Sequence, residues 1–141
     1  MSRSLNCVAA VLLLGLGAAS TAAPATAGRA AACVAALKGQ EASLAATLKA
    51  GAPVEPELLR VVRSGFAFIG RQYLAGLREA EARKLLDSAE QDFRALPPDS
   101  RKLRQAQCLQ EGERLYAESS AIERGLISSA AQRRVQRMKS R

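Results

Sequence analysis

The sequence predicts an all-α protein, a small helical bundle of about four helices that follows a cleaved N-terminal signal segment and is cross-linked by one disulfide. Three observations carry this prediction. Apolar residues recur at helical spacing throughout residues 28–141, and no stretch alternates like a β-strand. The first 27 residues have the layout of a secretory signal peptide, and two cysteines remain after them. The total of 141 residues suits a single domain, predicted over residues 28–141.

Residues 1–27 are predicted to direct export and to be cleaved off. Arg3 is the only charge among them, and residues 8–19 form an apolar run too short for a membrane-spanning helix, which needs about 20 residues. Ala25 and Ala27 fit a cleavage site of the A-x-A type, and a cut after Ala23 is disfavoured because Pro24 would follow it. Frequent Ala, Leu and Arg are typical of a GC-rich bacterial genome, so we expect a periplasmic or secreted protein. The alternative is a signal segment retained as an anchor.

Cys33 and Cys108 are the only cysteines after the signal segment, because Cys7 lies within it. Two cysteines in an oxidising compartment usually pair, and closing a loop of about 75 residues stabilises a fold by about 4 kcal/mol in the chain-entropy model. A redox-active pair usually has the close C-x-x-C spacing, which these residues lack. We therefore expect a structural disulfide, with free or intermolecularly paired thiols as the alternative.

Two predicted helices occupy the first part of the mature chain. The first covers about residues 30–50 and ends at Gly51, which suits a helix C-terminus. The second begins near Pro56, because a missing N–H is harmless in the first helical turn. Their apolar faces are formed by Cys33, Leu37, Leu44 and Leu48, and by Leu58, Val62, Phe66, Ile69, Tyr73 and Leu77. We expect the ring of Tyr73, like that of Tyr116, to be buried with its hydroxyl at the boundary.

The third predicted helix covers about residues 79–96. Only Gly76 separates it from the second helix and no capping residue marks its start, so one bent helix over residues 56–96 is the alternative. Two ion pairs of i, i+4 spacing are expected to support it, Glu79–Arg83 and Glu90–Arg94. Its apolar face is formed by Ala82, Leu85, Leu86, Ala89, Phe93 and Leu96.

The fourth predicted helix begins after Pro97 and Pro98, with Asp99 or Ser100 as its N-cap. If the helices packed as ideal parallel rods, the two cysteines would differ in height by about 8 Å, which is more than a disulfide tolerates. We therefore expect substantial crossing angles or the single bent helix. Its apolar pattern continues almost to the C-terminus through Leu103, Ala106, Cys108, Leu109, Leu115, Ile122, Leu126, Ala130 and Val135.

The last part of this helix is predicted to extend beyond the bundle from about Tyr116. The chain then either folds back, at Ser119–Ser120 or at Gly125, or stands free as an amphipathic helix. The docking hypothesis predicts that deleting residues 124–141 leaves the fold intact and abolishes partner or membrane association. Unfolding on deletion would place the tail in the core and contradict docking. A free helix would expose Ile122, Leu126, Ile127 and Val135, which would require a partner.

Positive charge is concentrated in the C-terminal part. Residues 28–100 carry 10 basic and 9 acidic side chains, whereas residues 101–141 carry 10 basic and 4 acidic ones. The basic helix at about 120–141 is therefore the predicted docking element, for an anionic envelope surface or an acidic protein partner. The alternative is a solvated helix end without a partner. The predicted partner-binding residues are Arg124, Arg133, Arg134 and Arg137.

Composition argues against several function classes. With no His, the chain lacks His-based catalysis and most zinc or haem ligation, and only 4% aromatic residues argue against nucleic-acid binding. Two nearby carboxylates could serve glycoside hydrolysis. Basic neighbours, however, predict that the acidic residues of the fourth helix form a salt-bridged surface instead. These residues are Glu111, Glu113, Glu118 and Glu123.

We therefore predict no enzyme, no cofactor, no metal and no transmembrane helix in the mature chain. The expected function is that of an exported helical interaction protein of the cell envelope that docks through its basic amphipathic C-terminal helix. The alternative is a chaperone-like or structural envelope protein that binds apolar segments between its helices. The two differ in salt dependence, because only electrostatic docking weakens with ionic strength.

Overall fold

The computed structural model is an all-α bundle of five helices, which confirms the predicted fold class. It describes the backbone of residues 23–141 and the side chains from residue 26 onward, so residues 1–22 of the predicted signal segment lie outside the described residues. The predicted cleavage site at Ala27 lies within the first helix. The helices are α1 (Ala23–Lys49), α2 (Glu55–Leu74), α3 (Glu79–Ala95), α4 (Pro98–Glu118) and α5 (Ala121–Lys139).

Glycines in the left-handed region end α1 and separate α2 from α3. Gly51 has φ 91° and Gly76 has φ 89°, a conformation that side chains with a Cβ rarely adopt. The chain reverses at Gly76, so α2 and α3 are separate helices and not one bent helix. The predicted cap of α4 is wrong, because Pro97 is the N-cap and Asp99 already lies in the first turn.

The extra helix arises because the chain folds back at Ser119–Ser120. Ser119 ends α4, and Ser120 begins α5 with a capping box in which its hydroxyl accepts from the Glu123 backbone N–H. The Glu123 carboxylate in turn accepts a 2.6 Å hydrogen bond from the Ser120 backbone N–H, which lowers the pKa of Glu123. Of the outcomes that the sequence leaves open for the tail, the fold-back at the two serines is therefore the one observed.

Successive helices run in opposite directions, with α1 and α2 at the centre. Contacts between α1 and α4 pair Arg29 with Glu111 and Ala36 with Gln105, which is antiparallel order. Helix α4 also packs along α2, whereas α3 packs on α1 and α5 packs on α2. The two outer helices therefore lie on different central helices.

The buried apolar side chains form two clusters. The first surrounds the disulfide between α1, α2 and α4, and the second lies between α2 and α5. Leu44 and Leu48 of α1 border the second cluster. The first contains Ala30, Cys33, Val34, Ala36, Leu37, Val61, Phe68 and Cys108, and the second contains Leu58, Val62, Ala131 and Val135.

The Cys33–Cys108 disulfide is formed as predicted, with the two Cα atoms 5.1 Å apart. The height mismatch expected from ideal rods does not arise because α4 begins well below the end of α1. Arg101, in its first turns, lines the same pocket as Lys38, which is 11 residues before the end of α1. The last turns of α1 pack instead beside α5, a helix that the four-helix prediction did not contain.

Three local predictions are wrong. Glu90 pairs with Lys38 of α1 and not with Arg94, whereas the predicted Glu79–Arg83 pair is present at 2.6 Å. Tyr73 is 78% exposed and Ile69 is 49% exposed, because α3 packs on α1 and leaves the C-terminal half of the α2 stripe uncovered. Leu103, predicted on the apolar face of α4, is exposed as well.

Gly112 is the point of closest approach between α2 and α4. A Cβ added there would lie 2.7 Å from Ser64 Cβ and 3.0 Å from the Ser64 carbonyl oxygen. Gly112→Ala is therefore expected to lower the free energy of unfolding by about 1–3 kcal/mol, despite the better helix propensity of alanine. Chemical denaturation measures this loss.

Gly125→Ala is the matched control for this prediction. Gly125 lies in α5, and apart from its own helical backbone no atom lies within 4 Å of the position that a Cβ would occupy. Alanine there should therefore stabilise the protein by about 0.5–1 kcal/mol. Equal effects of the two substitutions would contradict close packing of α4 on α2.

Candidate functional site

One side of α5 carries exposed apolar side chains followed by exposed arginines. Ile122 is 78% exposed and Leu126 is 67% exposed. Arg133 and Arg137 follow on the same side, because steps of four and seven residues return to one face of an α-helix. We call these four residues the α5 outer face.

Two of the four predicted partner-binding arginines form side-chain hydrogen bonds to other residues of the protein. The Arg124 guanidinium donates to the carbonyl oxygens of Ala117 and Ser119, at the C-terminal end of α4. The Arg134 guanidinium donates to both carboxylate oxygens of Glu41 on α1, with distances of 2.6–3.1 Å. Because the Glu41 side chain is only 13% exposed, this pair holds α5 against α1.

The other two arginines project into solvent. Neither Arg133 nor Arg137 forms an ion pair with any residue of the described part of the chain. Lys139, in the same last turns, is paired with Glu55 of α2 at 2.7 Å. Of the four predicted partner-binding arginines, only Arg133 and Arg137 have a guanidinium group with no hydrogen bond or ion pair in the described part of the chain.

The opposite side of α5 belongs to the core. Ala131 and Val135 are buried against Leu58 and Val62 of α2. The alternative of a free tail is therefore not the one observed. Because deletion of residues 124–141 would uncover the second cluster, docking is tested by substitutions on the outward side of α5. Of the apolar residues predicted on a free helix, Ile122 and Leu126 face solvent, whereas Val135 is buried and Ile127 is half-buried.

The apolar part of the α5 outer face continues onto α2. Leu126 lines a cleft of about 480 Å³ together with Tyr73 and Leu74, which are 78% and 65% exposed. Within the described residues, all large exposed apolar side chains except Leu103 lie at this end of the bundle. The sequence did not predict this patch, because the apolar stripe of α2 places Tyr73 in the core. The short turn at Gly76 was the available indication that α2 ends at the surface.

A wider apolar groove opens between α1, α2 and α3. It has a volume of about 790 Å³ and is lined mainly by Ala, Leu, Ile, Val and Phe side chains. Tyr73 borders both this groove and the cleft beside α5. The groove exists because the C-terminal half of the α2 stripe has no helix packed over it.

Three of the four acidic residues predicted to form a salt-bridged surface do form ion pairs, whereas Glu123 lies in α5 and caps that helix. Glu111 accepts a 2.6 Å hydrogen bond from Arg29, and Glu118 accepts one of the same length from Arg114. Glu113 pairs with Arg60, whose hydrogen bonds lower the pKa of this carboxyl. Residues 26–141 contain no group of three or more acidic, Cys or His side chains that could hold a metal ion.

Tyr116 is half-buried, and its hydroxyl lies 2.7 Å from the Ser128 hydroxyl of α5. The Arg63 guanidinium lies over its ring, 4.5 Å from the ring centre. Tyr116 thus joins α2, α4 and α5 from a half-buried position.

No protein-family model matches the chain, and no curated protein or solved structure is significantly similar to it. Among the helices of residues 23–141, none has both the length and the hydrophobicity required to cross a membrane.

Proposed function

We propose that this protein is an exported interaction module of the bacterial cell envelope that docks on an anionic membrane surface through the α5 outer face. The observation that carries the proposal is the composition of this face. Ile122 and Leu126 project into solvent beside two arginines that have no internal ion partner. No catalytic, cofactor or metal role is part of the proposal.

The arrangement suits an interfacial helix. Such a helix lies in the plane of the membrane surface, with apolar side chains among the upper acyl chains and cations at the headgroups. Leu74 and Tyr73 enlarge the apolar part of the surface, and an aromatic ring with a hydroxyl suits the membrane–water boundary. Ion pairing with an acidic protein partner would explain the exposed arginines but not the exposed apolar side chains beside them.

Export supports the choice of an envelope surface. Residues 1–27 have the charge and hydropathy pattern of a signal peptide, and the Cys33–Cys108 disulfide is consistent with an oxidising compartment. Periplasmic or secreted localisation is part of the proposal and is tested by the mass of the protein recovered from its native host. A chain that starts at Gly28 with an intact disulfide is the expected result.

Sedimentation with lipid vesicles tests the docking. We expect the protein to bind vesicles that contain phosphatidylglycerol more tightly than vesicles of phosphatidylcholine alone, with affinity that falls as salt is added. Each cation near an anionic surface contributes about 1 kcal/mol, so Arg133→Gln with Arg137→Gln should weaken binding about 30-fold. Ile122→Ser with Leu126→Ser should also weaken it, and the thermal midpoint of every variant should be unchanged.

Matched controls separate the α5 outer face from general surface properties. Leu103→Ser removes an apolar side chain on α4 that is 61% exposed, and Lys84→Gln with Arg104→Gln removes two exposed charges elsewhere. These controls should bind vesicles like the unchanged protein. Equal losses in controls and test variants would overturn the proposal, as would the absence of vesicle binding, which an acidic protein partner predicts.

The groove between α1, α2 and α3 favours a second candidate function. A protein that holds apolar client segments, as in a chaperone-like role, needs an open apolar site, and this groove has a volume of about 790 Å³. Binding of an apolar peptide in the groove should be insensitive to salt and to substitution of Arg133 and Arg137. Vesicle docking has the opposite response to both changes.

A further inference from the structure

A third pocket lies where α3 turns into α4 beside α1. Its volume is about 510 Å³, which is within the range of sites for small organic ligands. Ala35, Gly39, Phe93 and Pro98 provide apolar walls. Gly39 allows the Phe93 ring to approach closely, because a Cβ at this position would lie 2.8 Å from Phe93 Cε1.

The polar lining of this pocket is strongly cationic. Lys38, Arg94, Arg101 and Lys102 line it together with a single carboxylate, Glu90. Because Glu90 is paired with Lys38, the charges of the other three cations are not balanced within the pocket.

No other carboxylate among residues 26–141 lies within ion-pair distance of these cations. Arg94, Arg101 and Lys102 form no ion pair within the described part of the chain. The remaining acidic residues nearby on α3 and α4, Asp92 and Asp99, do not line the pocket.

Helix stability does not explain this placement. A cation such as Arg94 in the last turn of α3 is favoured by the helix dipole. Arg101 and Lys102, in contrast, lie near the N-terminal end of α4, where the dipole disfavours positive charge. Three cations that line one pocket also repel each other, and a concave site with an excess of one sign of charge concentrates ions of the opposite sign.

We infer that the pocket of Lys38, Arg94, Arg101 and Lys102 binds a phosphate monoester carried on a small organic body. Near neutral pH this group has a charge of about −1.5 to −2, which three unpaired cations can balance and a single carboxylate ligand would not. The two guanidinium groups can each donate paired hydrogen bonds to phosphate oxygens. The apolar wall at Phe93 would face the organic body of the ligand.

The inference is independent of the α5 outer face, because α5 packs on α2 and contributes no residue to this pocket. Its source of phosphate is either a soluble sugar phosphate or the headgroup of a phosphomonoester lipid. The full mature chain, labelled with ¹⁵N, is therefore titrated with glucose 6-phosphate, with glucose, and with vesicles that contain phosphatidic acid.

We expect glucose 6-phosphate or phosphatidic acid, but not glucose, to shift the backbone amide signals of Gly39 and Gln105. Arg101→Gln with Lys102→Gln should weaken the binding about tenfold or more, as expected for the loss of charge-assisted hydrogen bonds. Glu90→Gln should tighten it several-fold, because it removes the only carboxylate of the pocket and releases Lys38. Arg133→Gln with Arg137→Gln should leave glucose 6-phosphate binding unchanged.

The two phosphate sources give different results. Response to glucose 6-phosphate assigns a soluble ligand, and response only to phosphatidic acid, lost in Arg101→Gln with Lys102→Gln, assigns a lipid headgroup. The inference is overturned if neither probe shifts the pocket amides. It is also overturned if the double variant Arg101→Gln with Lys102→Gln and the variant Glu90→Gln both bind the probe like the unchanged protein. Unchanged thermal midpoints establish that the variants are folded.

Discussion

Deleting residues 121–141 is expected to leave a chain that is not stably folded at room temperature and that shows no cooperative unfolding transition. The deletion removes Ala131 and Val135, which cover Leu58 and Val62 in the second cluster. It also leaves Glu41, whose side chain is only 13% exposed, without its Arg134 partner. Each large apolar side chain returned to water costs about 1.5–3 kcal/mol, so the sum approaches the total of about 5–15 kcal/mol that is typical of a domain.

Point substitutions make this prediction quantitative. Val135→Ala should lower the free energy of unfolding by about 2 kcal/mol, because the methyl groups removed are almost fully buried. Gln136→Ala is the matched control, since this neighbouring side chain is exposed and should have an effect within about 0.5 kcal/mol. Circular dichroism during heating and in urea measures both. A truncated chain with an unchanged midpoint would contradict the assignment of α5 to the core.

The placement of α5 shows which parts of this fold a pattern of apolar residues can predict. Helical spacing identified the first four helices but continued the fourth through α5, and Gly51, Gly76 and the two serines at 119–120 lie where the chain turns. The packing partner of each face could not be predicted in the same way. Ile69 and Tyr73 continue the stripe of Leu58, but whether a stripe is covered depends on where α3 crosses, which is a long-range property.

The same distinction applies to the candidate site. The sequence showed that positive charge accumulates in residues 101–141, but it could not separate arginines that hold the fold from those that face solvent. Arg134 is taken up by Glu41, which is 93 residues earlier in the chain. The cationic pocket combines Lys38 with Arg101 and Lys102, and only the pairing of α1 with α4 brings them together. Contacts between residues so distant in sequence leave no local pattern.

Breaking the Cys33–Cys108 bond is expected to lower the free energy of unfolding by about 4 kcal/mol. The bond closes a loop with a sequence separation of 75, and its loss restores the conformational freedom of this loop to the unfolded chain. Because both cysteines are almost fully buried, a reductant should reach them only after the helices open, so reduction of the native protein should be slow. Urea unfolding of the oxidised and reduced protein measures the difference in stability.

Two forms of the protein separate the cross-link from the packing of its sulfur atoms. Reduced wild-type protein loses only the bond, whereas Cys33→Ala with Cys108→Ala also loses buried volume between α1 and α4. The reduced form should therefore be intermediate in stability between the oxidised protein and the double variant. Equal stability of the oxidised and reduced forms would contradict a structural role for the bond. Helices α1 and α4 together supply Lys38, Arg101 and Lys102, so loosening this helix pair should also weaken the binding of a phosphate monoester. The α5 outer face is built on α2 and should therefore retain its affinity for vesicles.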